Sequence, residues 1–163
     1  MADLIATDPL AALLPVAHGT HHLIAAQPGR ITALAPYDNK GLPKPGRAAP
    51  HPGGLLLWAG HNLWLATGTP PQSTPQTDVT DAWAVVRLTG PEPEAVLARL
   101  VPINLRARHF LPGYTARSLL GHIAVLLHRP AAAPETLELW LPRSTAAHAI
   151  GELARAMRGL AAR

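Results

Sequence analysis

Ala82-Trp83-Ala84-Val85-Val86-Arg87-Leu88-Thr89-Gly90-Pro91 passes within ten residues from an alternating pattern to a helix start. Ala84, Val86 and Leu88 fall on one face and Trp83, Val85 and Arg87 on the other, as side chains do along a half-buried strand. Thr89-Gly90-Pro91 ends that strand. Proline has its φ preset for a first helical turn, Glu92 and Glu94 complement the positive helix end, and Val96, Leu97, Leu100 and Val101 form an inward stripe limited by Pro102.

The same order recurs downstream. A strand is predicted over 117–128, a Pro/Ala turn at 130–134, a strand over 136–141 with Leu137, Leu139 and Leu141 alternating, and a helix beginning near Ser144, a residue suited to cap it. That helix turns Ala146, Ile150, Leu153, Met157 and Leu160 inward and leaves His148, Glu152, Arg155 and Arg158 outside. Two units of strand, tight break and helix predict an α+β fold in two related halves, with helices covering one side of a mostly antiparallel sheet.

Upstream, residues 54–67 carry two short apolar runs around Gly60-His61-Asn62, a hairpin pattern. Residues 68–77, with Pro70-Pro71 and Pro75, are expected as a surface loop. Residues 1–53 read as an irregular Pro/Ala/Gly-rich arm holding a short helix at 9–14, a strand at 30–35 and a broken stretch at 36–53. The expected organisation is this arm followed by an α+β domain over 54–163, one domain overall.

The length of 163 residues and the 48% hydrophobic content suit a single domain with a proper core. Only 15% of residues are charged, against roughly 25% in an average soluble domain. Eleven of the 18 Pro lie within residues 1–75. The net charge of +4 comes from Arg dispersed singly, and seven aromatics offer few stacking surfaces, so no nucleic-acid partner is expected. Zero Cys excludes disulfides, thiolate nucleophiles and every Cys-based metal site. Apolar runs such as 119–127 reach about half of the roughly 18 residues a membrane span needs. The opening Met1-Ala2-Asp3-Leu4 has no basic region followed by an apolar stretch, and the expectation is a cytoplasmic protein without membrane contact.

His18-Gly19-Thr20-His21-His22 gathers three imidazoles, which are metal-ligand types. No carboxylate or fourth ligand has matching spacing, so solvated histidines are expected and no metal. A triad could be assembled on paper from Ser118 or Ser144 with His122 and Asp81, but there is no Gly-x-Ser-x-Gly elbow and Ser144 is needed as a cap. Asp78 and Asp81, three apart before a strand, read as turn residues rather than a carboxylate dyad. Neither Gly-x-Gly-x-x-Gly nor Gly-x-x-x-x-Gly-Lys-Ser/Thr occurs. His122 and His128 fall on the face of the 117–128 strand shared with Leu120, Ala124 and Leu126, and His122 is expected as a hydrogen-bonded core or interface histidine rather than a buried ligand. Arg117 and Arg143 flank strands and are candidates for anion or carboxylate contacts. No catalytic or cofactor-binding residue is expected in this chain.

Several ordered stretches resemble the gamma subunit of heterotetrameric sarcosine oxidase. They are residues 77–91 continued by 95–105, Phe110-Leu111-Pro112-Gly113-Tyr114-Thr115-Ala116-Arg117-Ser118 running on to Leu127, and Leu139-Trp140-Leu141-Pro142-Arg143-Ser144. Leu57-Trp58-Ala59-Gly60 and Leu63-Trp64-Leu65 precede them. The resemblance covers about residues 54–160. That family is similar to the folate-binding domain of the aminomethyltransferase T protein of glycine cleavage, which implies an α+β fold with internal duplication. Leu120-Gly121-His122 departs from the Asn-containing turn of that pattern, and residues 31–41 leave no room for its first helix.

The resemblance implies an accessory, noncatalytic gamma subunit, with alpha, beta and delta subunits as partners and docking on the large alpha subunit. FAD, FMN, NAD, tetrahydrofolate and zinc would all be held by those partners, none by this chain. The complex would oxidatively demethylate sarcosine with one-carbon transfer to tetrahydrofolate. N-methylglutamate dehydrogenase contains an equivalent subunit, and a stand-alone folate-binding or C1-transfer domain is the alternative. Trp83, Val85, Arg87 and Trp140, on the faces away from the helices, are the expected partner anchors, because Trp and Arg dominate interface energetics. The low charge fits a surface partly covered by another subunit.

Overall fold

The computed structural model describes residues 7–72 and 74–162; the opening Met1–Leu4 motif lies outside them. Eleven strands and two helices follow one another in the order β1 Val16–His18, β2 His21–Ala25, β3 Ile31–Leu34, β4 Ala48–His51, β5 Gly54–Gly60, β6 Leu63–Thr67, β7 Gln76–Asp78, β8 Trp83–Thr89, α1 Pro93–Leu97, β9 Thr115–Leu120, β10 Ile123–His128, β11 Thr136–Pro142 and α2 Ala146–Ala161. They form two antiparallel sheets. The first has six strands in the order β1-β2-β8-β11-β10-β9, and the second five in the order β4-β5-β6-β3-β7. No helix among the described residues is long and apolar enough to cross a membrane.

The alternation at the centre of the first sheet decides how the layers stack. Ala84, Val86 and Leu88 of β8 and Leu137, Leu139 and Leu141 of β11 face α1 and α2, joining Val96, Leu97, Ile150, Leu153 and Met157 in the main core. Trp83, Val85 and Trp140 face the other way. There they meet Ile31, Leu57, Ala59 and Leu65 of the second sheet in an inter-sheet core. Each fully buried Leu in these layers contributes about 1.5–3 kcal/mol relative to exposure. The two strand-to-helix units therefore lie side by side: β8 pairs β11 over seven residues, Trp83 opposite Pro142 through Thr89 opposite Thr136.

The segment read as an arm is part of both sheets. β1 and β2 extend the first sheet beside β8, and β3 sits inside the second between β6 and β7. Residues 36–46 lie over the outer face of that second sheet, where Leu42 packs on Leu34, Leu56, Trp64 and Ala66 and Trp64 Nε1 donates to the Pro43 carbonyl at 3.0 Å. Proline keeps this stretch out of a ladder without keeping it off the core.

Three further elements differ from expectation. Residues 9–13 are a succession of turns between Pro9 and Pro15, not a helix, with the Asp8 carboxylate accepting from the Leu10 amide at 2.8 Å. The stretch 117–128 is a hairpin, β9 and β10, because Gly121 takes φ +60° and reverses the chain. That reversal buries Leu120 and leaves Leu119 47% exposed. Ser144 does not cap: a 3-10 turn at Arg143–Thr145 leads into α2, and no side chain bonds the helix start.

Candidate functional site

Two clusters of buried polar groups stand out against this apolar framework. The first follows from register. Arg87 of β8 lies opposite Glu138 of β11, and Glu138 opposite His128 of β10, so three ionisable side chains form a row across adjacent strands. Glu138 is buried and its Oε1 accepts from Arg87 Nε at 2.8 Å, while the Arg87 side chain is half exposed. His128 is buried, and its Nδ1–H donates to the Tyr114 carbonyl at 3.1 Å.

Burial pushes the His128 imidazolium below its ordinary range; Glu138 and the Tyr114 carbonyl pull the other way, and Arg87 adds to the lowering. With the folded pKa depressed, the unfolded chain takes up this proton first on acidification. The stability contributed by neutral His128 is intact above about pH 6.5 and declines as the pH falls from there through the folded value. An NMR titration of the His128 ring is expected to give a midpoint below the free-histidine value; a midpoint at or above it would contradict the burial.

The second cluster centres on Arg129, directly after β10. Its side chain is 2% exposed and faces Glu94 of α1, with Nη2 to Oε2 at 3.2 Å. Nη2 also donates to the Leu105 carbonyl at 2.8 Å, and Nη1 to the Pro134 carbonyl. Glu94 Oε1 in turn accepts from the Ala107 amide at 3.2 Å. One guanidinium thus ties α1, the 98–110 loop and the 130–134 turn together.

Above this tie lies an open cleft of about 720 Å³, whose lining includes Leu97, Ile103, Leu160, Glu92, Arg106 and Arg108. Glu92 adopts the left-handed region at φ 48°, ψ 59°, a conformation that costs a non-glycine residue about 1–2 kcal/mol. Nothing in the spacing of the chain pairs Arg129 with Glu94, which reads in the sequence only as an acid at a helix start. The one available signal was an Arg placed between an apolar strand and Pro130.

The expected partner anchors separate on inspection. Val85 and Trp140 are 3% and 1% exposed. Both are in the inter-sheet core, so the face expected to meet a partner is covered by the chain's own second sheet. Trp83 is half-buried and packs edge-on against Trp140, centroids 6.3 Å apart. Only Arg87 of the four reaches solvent substantially.

Of the two anion candidates, Arg117 is exposed and donates to the Ala59 carbonyl at 3.3 Å. Arg143 is brought near Asp81, at 3.7 Å, and donates to the Thr7 carbonyl. Asp78 pairs with Arg30 at 3.0 Å. Its carboxyl is held below the usual range chiefly by the Thr80 amide and hydroxyl, with Arg30 adding to this. His122 lies at the exposed tip of the β9–β10 hairpin.

The three clustered histidines divide between faces. His18 and His21 are directly opposite in the β1–β2 hairpin, and His22 alternates to the other side. His21 is not solvated: it is buried, and its Nε2–H donates to the Pro91 carbonyl at 2.9 Å. Gly90 makes this approach possible, since a Cβ there would stand 2.8 Å from the Thr20 carbonyl oxygen at φ +136°. The hairpin therefore clamps the β8-to-α1 junction. Among the described residues no three His, Asp or Glu side chains are grouped to hold a metal.

No family model matches the sequence, and no curated protein matches it. Among solved structures the fold is similar to a chain of the heterotetrameric sarcosine oxidase from Corynebacterium sp. U-96 in complex with pyrrole 2-carboxylate. The TM-score is 0.77 at 21% identity, and the match covers 97% of this chain and 97% of that one.

Proposed function

We propose that this chain is an accessory, noncatalytic subunit, the gamma subunit, of a sarcosine oxidase-type heterotetramer. The observation that carries the proposal is the extent of the structural likeness, 97% of both chains. A reused module inside a larger protein would match only part of its neighbour. Whole-chain correspondence favours the same place in an assembly. The motifs that resemble the family fall on β8 with α1, on the β9–β10 hairpin and on β11 with the start of α2, all in the first sheet and its helices, and on β5 and β6 of the second.

In this reading the chain's own residues supply shape and stability. FAD, FMN, NAD, tetrahydrofolate and zinc belong to alpha, beta and delta partners, with alpha the docking surface and the cytoplasm the compartment. The complex oxidises sarcosine or a related N-methyl amino acid and passes the one-carbon unit to tetrahydrofolate. The kinship to the folate-binding domain of aminomethyltransferases belongs to the same proposal.

The test is co-expression of the full chain with the alpha, beta and delta subunits of its own organism, followed by size-exclusion chromatography. The chain is expected to elute with the flavin absorbance; recovery only as free monomer would overturn the proposal. Calorimetric titration of the free chain with tetrahydrofolate is expected to show no saturable heat. Saturable binding would favour a stand-alone folate-binding domain.

A further inference from the structure

The cleft over the Arg129–Glu94 tie presents two exposed guanidiniums, Arg106 and Arg108, beside an apolar lining. Elsewhere, among the described residues, Arg30, Arg87, Arg143 and Arg155 each have a carboxylate partner. Arg106 and Arg108 have none, like Arg47, Arg99, Arg117 and Arg158 outside the cleft, and both are exposed. Glu94, the nearer acid, is already neutralised by the buried guanidinium of Arg129. The cleft is left with Arg106 and Arg108 against the single carboxylate of Glu92, over an apolar lining of Leu97, Ile103 and Leu160.

We infer that this cleft is the docking face for an acidic, aliphatic-bearing peptide segment of a partner protein. The inference rests on the subunit reading for the partner's identity, and on the cleft's chemistry for its nature. Guanidinium forks match carboxylates bidentately, and the aliphatic lining suits a side chain set between the acids. A polynucleotide is the poorer fit. No aromatic residue lines the cleft to stack a base.

Poly-L-glutamate titrated into the full chain at low salt, followed by amide NMR, tests the cleft directly. Shifts are expected to concentrate in residues 95–108 and at Leu160, to weaken as salt rises, and to weaken on the order of tenfold in the R106E/R108E double variant. The unchanged remainder of the spectrum reports that the variant is folded. Shifts located elsewhere, equal binding by the double variant, or tighter occupation of the cleft by polyuridylate would each overturn the inference.

In the co-expressed complex, R106E/R108E is expected to release the chain while wild type stays bound. Equal retention of both would overturn the cleft as a docking face. A wild-type chain that never assembles would instead defeat the subunit reading, with the polyglutamate titration still deciding the cleft.

Discussion

Replacing Arg129 by Ala is expected to lower the unfolding free energy by about 3–5 kcal/mol. The guanidinium is 2% exposed and meets a carboxylate, two carbonyls and no water-accessible face. Two opposing terms decide the size of the effect. Burying the pair is itself expensive, so its net contribution over an apolar filling is small; removing one member leaves Glu94 and the Leu105 and Pro134 carbonyls without their donor. The second term governs a single truncation. Glu94→Gln retains an acceptor for both Arg129 and the Ala107 amide and is expected to cost about half as much. Urea unfolding of both variants measures the difference, and faster exchange of the Ala107 amide is expected in R129A, because the 98–110 loop loses its anchor. A loss below about 1 kcal/mol in R129A would mean that the tie does not hold the loop.

Trp140→Ala is expected to cost about 3–5 kcal/mol, the range for emptying a large aromatic site in a core. The indole is 1% exposed, between β8, β10 and the second sheet, with Trp83 against its edge. Trp140→Phe should cost less than about 1.5 kcal/mol. The reason is specific: Trp140 Nε1 is buried and has no acceptor among the described residues, so the smaller ring removes a polar group that the fold leaves unsatisfied. Denaturant midpoints of the two variants separate core packing from partner contact. A W140A chain of wild-type stability would restore this residue to the outer surface and contradict the inter-sheet core.

The alternations in 82–89 and 136–141, the 54–67 hairpin and the inward stripe of α2 were all legible, because period and turn chemistry are local properties. The second sheet was not. Alternation divides a strand into two faces without saying what covers each, and a face bearing Trp83, Val85 and Trp140 looks the same whether a partner or the chain's own β5 and β6 packs on it. β11 shows the limit most clearly: Thr136 through Leu141 are all buried, Glu138 included, although its leucines alternate as in a half-buried strand.

Of the short strands in 16–51 only β3 was legible; β1, β2 and β4 were hidden by the surrounding Pro and Gly, and what fixes β2 and β3 in the sheets is distant pairing, with β8 and with β6 and β7. The same reason conceals the site. Arg129 and Glu94 lie 35 positions apart, and Arg106 and Arg108 acquire meaning only when α1 and the end of α2 bring apolar walls beside them.

The order of strands in the second sheet bears on how the chain meets other copies of itself. Both of its rims are poor templates for another chain. β4, at one rim, carries Pro50, which has no amide to offer an incoming strand. β7, at the other, is three residues long, exposed, and ends in the ion-paired Asp78. The free chain is thereby guarded against stacking rim to rim into fibres through this sheet.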